Sequence, residues 1–195
     1  MRYLTRGATT SDTVLSRHGE VITAVRDVLE ARDPGMVEPN ETFITGERDE
    51  VCILIIPHHW LGGVGLIVLS DPPGLDLRWA AVTDLSDHDQ IDLGHVVDRW
   101  QLPLKPQMNQ LAASLEQELS RPIEWMCTYR GSASSPRRIR AVLDINGRRV
   151  VLHVLSKLSL WPFPRREVVE STSLSSKDPP TFRLPVPIDR LLKQA

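Results

Sequence analysis

The chain has 195 residues, 41% hydrophobic and 25% charged, with a formal net charge of -2. That balance supplies a sizeable core and argues against wholesale disorder, while the near-neutral charge lacks the basic footprint of a nucleic-acid binder. Cys52 and Cys127 are too few for a disulfide framework, and neither a signal-peptide core nor a run of roughly 18 apolar residues is present, so a cytoplasmic protein forming one domain over 1–195 is expected.

In chain order, Ser11-Asp12 caps a helix reaching Arg32. Val14, Leu15, His18, Val21, Ile22, Val25, Val28 and Leu29 form its apolar stripe, and Asp33-Pro34-Gly35 stops it. Thr42 to Thr45 is a short strand and Glu47 to Glu50 a polar turn. Val51 to Ile56 and Val64 to Leu69 are continuously apolar and read as strands covered on both faces. Asp71-Pro72-Pro73-Gly74 turns the chain into a third strand, Leu75 to Val82. The links are too short for helical crossovers, which makes this an antiparallel meander.

The stretch from Arg78 to Leu104 then reads as a polar loop held between Trp79 and Trp100. After it, Pro106 suits a helix start, and Met108, Leu111, Ala112, Leu115 and Leu119 keep helical spacing until Pro122. Ile123 to Tyr129 is a strand. Arg138 to Ile145 and Arg148 to Leu155 form a hairpin around Asn146-Gly147, a pair suited to a type I′ turn. That turn sets Ile145 opposite Arg148, Asp144 opposite Arg149, Leu143 opposite Val150 and Ala141 opposite Leu152. One face then carries Ile139, Ala141, Leu143, Val150, Leu152 and Val154. The other carries Arg140, Asp144, Arg149 and His153, with an Asp144–Arg149 ion pair worth about 0.2–1 kcal/mol. The proline-rich segment 158–195 is expected to run extended over the body, with an edge strand at Glu167 to Thr172 and a helical turn or two at Ile188 to Lys193. The expected class is α+β: a mainly antiparallel sheet, built of the meander and the C-terminal hairpin, covered by two main helices.

The polar loop carries Asp84, Asp87, His88, Asp89, Asp92 and His95. These are ligand types for a divalent metal. Their spacing matches no calcium loop, no HExxH occurs, and neighbours such as Asp87-His88-Asp89 point apart. The plainer readings are a solvated acidic loop or a surface that docks a basic partner. The alternative function is a metal-dependent enzyme using a His/Asp pair from this loop, 84–95, as ligands and general base. His58-His59 reads as a connection. Gly62-Gly63-Val64-Gly65 lacks the dinucleotide fingerprint, so no cofactor is expected. The arginines around the hairpin, Arg130, Arg137, Arg138, Arg140, Arg148 and Arg149, read as a solvated face. No Gly-x-Ser-x-Gly elbow occurs and Cys127 has no histidine near it in sequence, so no catalytic residue is assigned.

The phrase LRWAAVTDLSDHDQIDLG, Leu77 to Gly94, resembles stretches in small actinobacterial proteins of the kind encoded beside secreted polymorphic toxins, many of which are immunity proteins. The resemblance implies a cytoplasmic α+β protein that binds and blocks a cognate toxin; from the charge balance and the lack of a long apolar run, neither nucleic acid nor membrane is expected as partner. The expected partner-binding residues are Asp84, Asp87, His88, Asp89 and Asp92, and no metal site is assigned.

Overall fold

Strands and helices alternate in two rounds, each a helix followed by antiparallel strands. In the computed structural model, the described residues are 3–7, 10–31, 37, 39, 42–48, 51–57, 64–71, 74–80, 95–101, 105–130, 132, 136–156 and 165–172. The first round comprises β1 (Thr5–Arg6), α1 (Asp12–Arg17), α2 (Gly19–Glu30), β2 (Phe43–Arg48), β3 (Val51–Pro57), β4 (Gly65–Asp71), β5 (Gly74–Ala80) and β6 (His95–Gln101). The second comprises α3 (Lys105–Leu119), β7 (Ile123–Arg130), β8 (Arg138–Ile145), β9 (Arg148–Ser156) and β10 (Arg165–Thr172). The class is α+β with mostly antiparallel strands; among the described residues the one parallel pair is β1 with β2.

Ser11 caps α1 as expected, its hydroxyl accepting from the Val14 N–H at 3.2 Å. The single helix expected over 11–32 is in fact two. His18, at φ -103 and ψ 16, steps out of helical geometry between them. Its imidazole is buried, with Nδ1 2.8 Å from Ser70 Oγ on β4. Turning a polar ring into the core requires such a partner, and the break in the helix places it there. Val21, Ile22, Val25, Val28 and Leu29 of α2 are buried. Each contributes about 1.5–3 kcal/mol on leaving water, against about 1–2 kcal/mol per residue for fixing the backbone. The helix therefore depends on its packing.

The single sheet expected from sequence is replaced by two. The first runs β1-β2-β3-β4-β5-β6 and the second β10-β7-β8-β9. The reason lies at β7: its two edges are taken by β8 and by the returning β10, which leaves none for the meander. Residues Ile123, Trp125, Cys127 and Tyr129 are buried and alternate with more exposed neighbours along β7, the period of two that a half-covered strand requires. The edge strand expected at 167–172 is β10, beginning two residues earlier.

The hairpin register is as read from the turn, with Ile145↔Arg148, Asp144↔Arg149, Leu143↔Val150 and Ala141↔Leu152. Asn146 and Gly147 both take positive φ, 53° and 75°, as a type I′ turn demands. Two details differ. A bulge between Ile139 and Arg140 shifts the far end of the ladder: Arg140 keeps the turn register opposite His153, but Ile139 pairs with Leu155 in place of Val154. The ion pair of Arg149 is made with Glu124 on β7, at 3.5 Å, rather than with Asp144.

One apolar cluster takes in both sheets and all three helices, including Val14, Val25, Leu29, Leu66, Leu77, Trp79, Leu111, Leu115, Trp125 and Ile139. Helices α2 and α3 lie against each other. At the tip of the hairpin, Asn146 Nδ2 donates to the Val97 carbonyl of β6 at 3.0 Å, tying the second sheet to the edge strand of the first.

Candidate functional site

Two strands hold the ends of the acidic stretch. β5 and β6 are antiparallel neighbours, and their last described pair is Trp79↔His95. Residues 81–94 connect them in sequence, and contain four Asp, one His and no Lys or Arg. Asp84, Asp87, His88, Asp89 and Asp92 lie outside the described residues, as do the connections at His58-His59 and Gly62-Gly63. The stretch read as one loop to Leu104 is shorter than expected, because His95–Gln101 is strand β6. Its alternation is broken by a bulge: Arg78 pairs with Val96 and Leu77 with Asp98. Val96 and Val97 are exposed and buried in turn, as in a regular strand, but Arg99 beyond the bulge is exposed like Val96, three residues away, so the two ends of β6 are out of phase.

Below that base sits a buried polar network. Trp79 is fully buried, and its indole Nε1–H donates to Glu118 Oε2 at 2.6 Å. Glu118, on α3, is 1% exposed. Arg121 just beyond the helix donates to both carboxylate oxygens of Glu118 and to the Asp144 carbonyl of β8. The hydrogen bond that Arg121 donates to Glu118 holds its guanidinium protonated more firmly than usual; burial opposes this, and the charges of Glu118 and Asp144 add to it. One carboxylate thus joins strand β5, a helix and the second sheet. An ion buried this deeply is tolerated only when paired and hydrogen-bonded, and Glu118 is both.

On the opposite face of β5, Asp76 alternates with the core residues Leu75 and Leu77. Its carboxylate accepts from Arg99 Nε at 2.8 Å and Nη2 at 3.2 Å, and from Arg78 Nε at 3.2 Å and Nη2. Burial pushes the Asp76 carboxyl up, but the hydrogen bonds from Arg99 and Arg78, with their charges, outweigh it and leave it below the ordinary carboxylate range. A depressed carboxyl stabilises the fold above its unfolded value of about 3.9 and ceases to do so as pH falls through the folded value. Asp76→Asn is therefore expected to flatten the acid limb of the stability curve below about pH 4. Urea denaturation of both proteins across that range checks this, and an unchanged acid limb would count against the pairing.

None of Glu118, Arg121, Asp76 and Arg99 was singled out from the sequence. Glu118 and Arg121 stand three apart, a helical-neighbour spacing that is legible. Asp76 and Arg99 meet only through the β5–β6 register, which is not. Among the described residues no three His, Cys, Asp or Glu side chains form a group able to hold a metal ion. Cys127 is a buried cysteine that forms no disulfide, and no helix of the described residues is long and apolar enough to cross a membrane. No family model matches the chain, no curated protein is similar to it, and no solved structure matches it.

Proposed function

We propose that this chain is a cytoplasmic binding protein of the immunity type, which blocks a cognate toxin by presenting the acidic stretch around Asp84, Asp87, His88, Asp89 and Asp92 to a basic catalytic cleft. The observation that supports the reading is the construction of the base. A segment of one charge sign enters and leaves through paired strands, and Trp79 at that base is fixed by Glu118. A rigid frame under a charged connection suits recognition, because loops displayed on rigid elements carry binding and complementary charge speeds encounter and selects partners. The resemblance over Leu77 to Gly94 supports the class of partner, a toxin encoded beside this chain.

Changing Asp87, Asp89 and Asp92 together to Asn is expected to leave the melting temperature nearly unchanged, since surface changes usually stay within about 0.5 kcal/mol each. Affinity for the toxin encoded beside this chain should fall on the order of tenfold to a hundredfold, mainly through slower association, and wild-type binding should weaken as salt rises. Titrating both proteins at two salt concentrations checks this, with metal analysis of the purified wild type alongside. Unaltered affinity at both salts would remove the stretch from the interface. Stoichiometric metal, lost with the three substitutions, would favour the metal-dependent enzyme instead.

A further inference from the structure

Where α2 and α3 meet, they leave a groove of about 740 Å³ along their solvent side. Its floor is apolar and built mostly from small or half-buried side chains: Ala24 and Val28 from α2, Met108 and Ala112 from α3. A Cβ placed on Gly19 at one end would meet nothing within 4 Å. Glu20 and Asp27 stand on the α2 rim and Glu116 on the α3 rim, and no Lys or Arg is among the described residues that line the groove. Glu20 and Asp27 are exposed, and among the described residues neither makes an ion pair.

We infer that this groove receives a basic amphipathic helix of a partner protein. The spacing specifies the occupant. Glu20 and Asp27 are seven residues apart on one helix, which puts them on one face about 10 Å apart at 1.5 Å per residue. A second helix lying along α2 repeats the same geometry, so two cations seven residues apart on it meet both carboxylates. Its apolar stripe then rests on Ala24, Val28 and Ala112, in the manner of helix-in-groove recognition. A second copy of this chain is a poor occupant, because the same face would set Glu20 and Asp27 against identical carboxylates. The inference is independent of the acidic stretch at 84–92.

The test uses the full chain and a fluorescent amphipathic peptide of about fifteen residues, long enough for helix to form, with an Ala/Leu stripe and two Lys seven residues apart. Controls replace both Lys by Glu, or set the Lys five apart on different faces. Saturable binding is expected for the first peptide, at least tenfold weaker for both controls. Glu20→Lys with Asp27→Lys, both exposed sites, should weaken it at least tenfold, and so should Ala112→Trp, which fills the groove. The Asp87, Asp89 and Asp92 to Asn variant should bind as the wild type does. The inference is overturned if no saturable binding occurs, if the Glu peptide or the misplaced-Lys peptide binds equally, or if binding survives the groove variants and is lost with the Asp87, Asp89 and Asp92 variant. Melting curves of each variant separate loss of binding from loss of fold, and the Glu20/Asp27 pair decides the matter should Ala112→Trp unfold.

Discussion

Glu118→Ala is expected to lower stability by about 2–4 kcal/mol, which for a chain of this size lowers the melting temperature by about 5–15 °C. The carboxylate is 1% exposed and answers two donors, the Trp79 indole and the Arg121 guanidinium. Removing it leaves a buried indole N–H without its acceptor, opens a cavity beside Trp79, and takes from Arg121 its counter-charge. Arg121 keeps the Asp144 carbonyl, which moderates the loss. Glu118→Gln should cost less, because the amide oxygen still accepts from Trp79; Trp79→Phe leaves Glu118 its Arg121 partner but adds the cost of the cavity left by the buried indole. The cycle built from Glu118→Gln, Trp79→Phe and the double variant isolates their coupling. A coupling near zero, or Glu118→Ala within about 0.5 kcal/mol of wild type as ordinary surface changes are, would show that the network does not hold the base of the β5–β6 connection.

Much of the architecture is legible in the sequence, and the failures share a cause. Hairpin turn and register follow from two residues, Asn146 and Gly147, because positive φ is a local demand that few residues meet. The meander follows from apolar runs and short links. What the sequence hides is non-local. That β7 pairs with β8 and β10 and with no strand of the meander is a matter of long-range pairing, and nothing in Ile123 to Tyr129 records it. Strand β6 goes unread because the bulge at Val96 and Val97 breaks the alternation that would announce it. His18 sits at helical spacing among apolar residues, and its buried partner Ser70 is 52 positions away. The same holds at the candidate site. The acidic stretch is visible as composition, whereas Glu118 under Trp79 is 39 residues away and emerges only from the packing of α3.

Gly147→Val should destabilise the protein by about 2 kcal/mol, since left-handed geometry alone costs an ordinary residue roughly 1–2 kcal/mol and a β-branched side chain resists it further. Gly147 sits at φ 75°, and a Cβ there would meet nothing within 4 Å. The expected loss is therefore backbone strain and not collision, which predicts an order: Val worst, Ala at about 1 kcal/mol, and Asn close to wild type because it tolerates this conformation. A collision would instead rank the variants by size and place Asn beside Val. Asn146→Ala is a different perturbation. It removes the Nδ2 donor to the Val97 carbonyl as well as a residue suited to φ 53°, so it should loosen the contact between the hairpin tip and β6 in addition to the turn. Hydrogen exchange distinguishes the two. Gly147→Val should raise exchange along β8 and β9, whereas Asn146→Ala should also raise it along β6. Equal melting temperatures for Gly147→Val and wild type would mean that the turn relaxes without cost, and the register would then rest on the Leu143↔Val150 and Ala141↔Leu152 pairs instead.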